Sequence, residues 1–158
     1  MTIPDRRHAG PDRRRIPRGG RRATDRPGRY PQVLVADSYD GARIPCAKYL
    51  DRMGFGVLEA GNGLCALEHI DAAAAQVIVI EHGLPNAPVS RIVHRLRDAG
   101  GHSVPLIVMT SDLEMVEDST VAGLPLVAVL AKPFSLTTML QEIQRLLRAP
   151  RIAIEPSV

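Results

Sequence analysis

The chain has 158 residues, 45% of them hydrophobic, which suits one domain with a packed core and at most an appendage. Aromatics make up 3% with no Trp, against base-stacking nucleic-acid modules, and no apolar run approaches a membrane span. The net charge of +3 hides a split: residues 1–30 hold ten Arg against three Asp, a formal +7, while residues 31–158 are a formal −4.

Residues 1–30 also carry four Pro and four Gly and show no hydrophobic periodicity. Such a segment cannot bury enough area to offset its ordering entropy, so a disordered N-terminal tail is expected to end near Pro31. Its cations are all Arg, whose planar fork suits phosphate or carboxylate. Arg22-Ala23-Thr24-Asp25 has the RxxD form of cyclic-dinucleotide sites, which makes Arg18, Arg21, Arg22 and Asp25 candidate anion-binding residues. A solvated basic leader is the plainer alternative.

From Gln32 onward apolar runs alternate with helical patterns. Val33–Ala36 reads as a buried parallel strand ending at Asp37. Asp40 is placed to cap a helix through Ala42, Cys46, Leu50 and Met53, with Pro45 in its early turns and Gly54 at its end. Gly56–Glu59 is a second strand, followed by Gly61-Asn62-Gly63 and a helix with Leu64, Leu67 and Ile70. Val77–Ile80 is the most β-branched run and the expected central strand. Val89, Ile92, Val93 and Leu96 mark a third helix, stopped by Gly100-Gly101. Leu106–Met109 and Leu126–Leu130 are the fourth and fifth strands, with a weaker, acidic helix candidate over 112–119 between them. Ser135 caps a last helix through Met139, Ile143 and Leu147. Five βα units imply a parallel sheet covered on both faces, over residues 31–149, with 150–158 a short C-terminal tail.

In open α/β sheets, ligands meet the carboxyl ends of the strands. Those ends carry Asp37 and Ser38, Glu81, Thr110 and Ser111, and Lys132. Carboxylates there can hold a hard cation, and Lys with Thr can hold phosphate oxygens. His82 adjoins Glu81 but reads as a packing residue, as do the remaining histidines, which show no ligand spacing. Cys46 and Cys65 fit apolar helix faces as core thiols and offer no disulfide framework or metal spacing, so a reduced, cytoplasmic setting is expected.

Taken together, these motifs resemble the receiver (CheY-like) domain of two-component response regulators. Val33–Asp37 is similar to the family's first strand with its acidic end. Val77–Pro85 is similar to its phosphoacceptor strand and the Leu-Pro that follows. Val108-Met109-Thr110-Ser111 and Lys132-Pro133-Phe134 are similar to its hydroxyl and lysine–proline signatures. The separations of 44, 29 and 22 residues between Asp37, Glu81, Thr110 and Lys132 suit the family. The resemblance implies a flavodoxin-like (βα)5 three-layer sandwich with strand order 2-1-3-4-5. It also implies a cis Lys132–Pro133 bond aiming Lys132 at the pocket, and a backbone carbonyl from Gly83 at a cation site.

Three positions depart from the family pattern. The second acid after the first strand is Ser38, the phosphoacceptor Asp is Glu81, and the aromatic residue three before the lysine is Val129. One extra methylene displaces the attacking oxygen by roughly 1.5 Å, and misplacement on that scale costs about a hundredfold. The expectation is therefore a degenerate, stand-alone receiver without a cofactor and with weakened Mg²⁺ binding. It is expected to act through a signalling protein partner, with Glu81 standing for a phosphorylated Asp beside Asp37, Ser38, Gly83, Thr110 and Lys132. Two alternatives stay open: a conventional Mg²⁺-dependent phosphoacceptor, and binding of a cyclic dinucleotide or nucleic acid by the Arg-rich tail. A metabolic enzyme is not expected, because no second nucleophile–base set or phosphate-cradling glycine loop is visible.

Overall fold

A computed structural model of the protein describes residues 31–98, 104–116, 121 and 124–149. Five strands, β1 (Gln32–Ala36), β2 (Gly56–Ala60), β3 (Val77–Glu81), β4 (Leu106–Thr110) and β5 (Val127–Ala131), form one parallel sheet in the order β2-β1-β3-β4-β5. Among the described residues four helices connect or flank them: α1 (Asp40–Arg52), α2 (Gly63–Asp71), α3 (Val89–Asp98) and α4 (Leu136–Arg148). The tail residues 1–30, the glycine stop after α3 and residues 150–158 lie outside the described residues.

Strand alternation divides the core in two. Val33, Val35, Val77, Val79, Ile107 and Met109 join Leu50 of α1 and Met139 and Ile143 of α4 on one face. Leu34, Ala36, Ile78, Ile80, Leu106 and Val108 join Ile70 of α2 and Ile92 and Leu96 of α3 on the other. Burial of both faces explains why β1, β3 and β4 read as nearly unbroken apolar runs rather than alternating ones.

Several sequence expectations shift by a residue or a role. Asp40 is not the cap of α1 but its first helical residue, and the N-cap is Tyr39, whose carbonyl accepts the Ala42 and Arg43 N–H groups. Pro45 lies inside α1, where it has no N–H to donate to the carbonyl of the exposed Gly41, and the helix runs on to Arg52. Gly54 follows the helix at φ +92°, a conformation that suits glycine. Asn62 caps α2 by accepting Cys65 N–H at 2.9 Å, and Ser135 caps α4 by accepting Thr138 N–H at 3.0 Å. The acidic segment after β4 forms only a single 3₁₀ turn, Leu113–Met115, among its described residues, with Asp112 accepting Glu114 N–H. β2, β3 and β4 each run one residue further than expected and β5 is displaced by one, because ladder pairing includes Ala60, Glu81, Thr110 and Ala131.

Candidate functional site

Parallel register sets the layout of the carboxyl edge. Ala36 pairs with Ile80, so Asp37 stands level with Glu81. Glu81 pairs with Met109 and Met109 with Leu130, so Lys132 lies two residues, about 7 Å, beyond their level. A long side chain is needed to return that distance, and Lys132 supplies it. The bond from Lys132 to Pro133 is cis.

Its ammonium bridges two carboxylates, reaching Asp37 Oδ2 at 3.0 Å and Glu81 Oε1 at 3.3 Å. Asp37 is buried, at 1% exposure, and its other oxygen accepts Tyr39 N–H at 2.8 Å. Glu81 Oε2 accepts both Ser38 N–H at 3.1 Å and Ser38 Oγ–H at 2.9 Å. Burial pushes the Glu81 carboxyl up. The two Ser38 hydrogen bonds and the Lys132 charge outweigh it and hold the group below the usual carboxylate range. For Lys132, burial favours the neutral amine, but Asp37 and then Glu81 raise its pKa above the ordinary lysine value. The Cys46 thiol, lining a neighbouring cleft of about 480 Å³ with Asp37, Lys132 and Phe134, is pushed up chiefly by burial.

Thr110 lines the pocket edge, but its hydroxyl is engaged elsewhere. Strand alternation gives it the parity of Leu106 and Val108. Its hydroxyl donates to the Asp112 carbonyl at 2.8 Å and accepts Asp112 N–H at 3.0 Å, which ties down the loop after β4 instead of holding Glu81. Thr110, Gly83 and His82 do line a groove of about 200 Å³ with Glu81 and Lys132. Arg18, Arg21, Arg22 and Asp25 lie outside the described residues.

Arg43 was not visible as a site residue in the sequence. Its guanidinium donates to the Asp37 carbonyl at 2.8 Å, to Glu59 at 3.3 Å and to Asp40, joining the ends of β1 and β2 to the first turn of α1. An Arg three residues after Asp40, with Glu59 ending a neighbouring strand, was the signal that could have found it. Ser38, expected in the pocket as a replaced acid, is a double donor to Glu81.

In this arrangement Asp37 and Glu81 would hold a Mg²⁺ only in exchange for Lys132, which takes one oxygen of each. Each of the four carboxylate oxygens of Asp37 and Glu81 already accepts a hydrogen bond. Among the described residues no group of three or more His, Cys, Asp or Glu is placed to hold a metal. A hard cation needs about six oxygens, and Ser38 removes a charged one.

A doubly wound parallel sheet with an acid–lysine constellation at its carboxyl edge defines a flavodoxin-like α/β domain of the signalling type. The sequence pattern of the response regulator receiver domain matches residues 33–144, and the chain belongs to that family. The transcription factor SKN7 of Chaetomium thermophilum is 33% identical over 132 residues, 80% of this chain, which spans only 17% of that protein. Sporulation initiation phosphotransferase F of Bacillus subtilis is 23% identical over 118 residues, covering 73% of this chain and 93% of the relative. Among solved structures, the chemotaxis response regulator CheY4 of Vibrio cholerae matches at a TM-score of 0.66 with 23% identity. That match covers 74% of this chain and 98% of CheY4, and it shows the shared fold. Among the described residues no helix is long and apolar enough to cross a membrane.

Proposed function

We propose that this receiver domain signals through contact with a protein partner and does not rely on phosphorylation in the usual way. The observation that carries this reading is the engagement of Glu81. Its carboxylate is held on one side by Ser38 Oγ–H and N–H and on the other by Lys132. By resemblance, Glu81 stands where the family carries its phosphoacceptor Asp, and Lys132 where the family's lysine meets the phosphoryl group. A permanent negative charge at that strand end, already paired with the lysine, supports a constitutively engaged edge. In-line attack on a phosphoryl group needs a free oxygen aligned at about 3–3.5 Å and a metal to neutralise charge. Each Glu81 oxygen already accepts a hydrogen bond, and among the described residues no group of three or more His, Cys, Asp or Glu gathers around it for a cation.

Incubation of the protein with acetyl phosphate and Mg²⁺, followed by intact mass measurement, tests this reading. The expected result is an unmodified chain. A single phosphoryl adduct on Glu81 or Asp37 would overturn it and make the protein a conventional phosphoacceptor.

A further inference from the structure

Among the described residues, negative charge is concentrated at one place: Asp37, Asp40, Glu59, Glu81, Asp112 and Glu114 lie along the carboxyl edge of the sheet with Arg43 and Lys132 as the described cations there, a formal −4. Beside Glu81 runs the groove of about 200 Å³, bordered by Asp112 and Met115. The 3₁₀ turn at its rim alternates acid and apolar residues, Asp112-Leu113-Glu114-Met115, and its two apolar side chains are 57% and 61% exposed. Large apolar side chains left in water at the tip of an acidic turn are unpartnered surface.

We propose that the arginine-rich segment of this same chain, residues 1–30, docks along this groove and turn. An arginine side chain is an apolar stem ending in a planar fork, so its stem covers Leu113 and Met115 while its head meets Asp112 and Glu114. The segment carries ten Arg and no Lys, and its +7 opposes the −4 of the edge. Reach is sufficient. The described chain starts at Pro31 on the amino side of β1, and crossing to the carboxyl edge requires about 17 Å, roughly five extended residues. Arg22 and every arginine before it therefore have enough chain to arrive. Tethering sets an effective concentration in the millimolar range, so individually weak exposed ion pairs become populated. The docked segment covers the edge that carries Glu81, and a partner approaching there must displace it. This contact does not depend on whether Glu81 can be phosphorylated.

The test is methyl NMR on the methionines of the full chain. Met115 reports on the turn, and Met53, 49% exposed at the far end of α1, is the control. Raising salt from about 0.01 M to about 1 M cuts the screening length from about 30 Å to about 3 Å. The Met115 signal is expected to move and Met53 to stay. Replacing Arg13, Arg14, Arg15, Arg21 and Arg22 with Gln should give the high-salt Met115 position already at low salt. Asp112→Asn with Glu114→Gln should remove the salt response of Met115. Asp112 and Glu114 are exposed turn residues and the arginines lie outside the packed sheet and helices described, so the fold is kept. A Met115 signal indifferent to salt and to the Arg→Gln set overturns the proposal. A shift that depends on protein concentration overturns it too, by assigning the contact to a second copy's segment.

Discussion

Replacing Lys132 with Met preserves side-chain length and removes the ammonium that faces both Asp37 and Glu81. Asp37, almost wholly buried, would then keep only Tyr39 N–H as a donor to its carboxylate. Breaking a fully buried pair by deleting one member costs about 3–5 kcal/mol. Here the Lys132 and Glu81 side chains are 24% and 22% exposed, so water recovers part of the loss. The expected destabilisation is about 2–3 kcal/mol, roughly 8–12 °C at about 4 °C per kcal/mol for a domain of this size. The dependence on pH follows from the two shifts. The Glu81 pKa is depressed, so its contribution is complete above the unfolded value near about 4.3 and is lost as pH falls through the folded value. The Lys132 pKa is raised, so its contribution is complete below about 10.4 and is lost as pH rises through the folded value. Between those limits the pair is fully effective. Lys132→Met should therefore be most damaging near neutral pH and progressively less so in acid, as pH falls through the depressed Glu81 value. Thermal unfolding followed by circular dichroism at neutral and acid pH measures this. An equal loss at both, or a loss under about 1 kcal/mol at neutral pH, would refute the assignment of Lys132 as the counter-charge.

Ser38→Ala removes the Oγ–H donor to Glu81 and leaves the backbone N–H, so the Glu81 carboxyl pKa should rise part of the way back to its ordinary value. A carbon-13 carboxyl titration reads this directly, and an unmoved titration would show that the hydroxyl does not hold the charge. Gly63→Ala would drive a Cβ against the Ala87 side chain and to 2.6 Å from its backbone nitrogen. Backbone cannot yield there as a flexible side chain would, and Gly63 N–H also bonds the Pro85 carbonyl at 2.7 Å. A loss of about 1–3 kcal/mol in chemical unfolding is expected; an unchanged midpoint would mean that the α2–loop approach is looser than described.

The architecture was legible because it depends on short-range pattern. Apolar runs such as Val77–Ile80 and helical spacing such as Val89, Ile92, Val93 and Leu96 fix which segments are strands and helices. Right-handed crossovers then leave few ways to arrange them. The polar residue closing each run placed Asp37, Glu81 and Lys132 on one edge before any contact was known. Spans beyond the apolar runs were harder to read. Glu81 and Thr110 belong to their strands because backbone pairing continues where the side chains turn polar.

Sequence by itself thus determined the βα alternation, the edge on which the acids and the lysine gather, and the charge contrast between residues 1–30 and the rest. The tertiary structure decided how those residues meet. Register placed Asp37 level with Glu81 and set Lys132 two residues beyond, so that one ammonium serves both carboxylates. The turn after β4 engaged the Thr110 hydroxyl with the Asp112 backbone rather than with Glu81. The approach of the β1–α1 turn made Ser38 a donor to Glu81 and gave Arg43 three partners from three elements. Residue type states what a side chain can donate or accept, but partners from 2 to 95 positions away in the chain are chosen by the packing of the sheet edge.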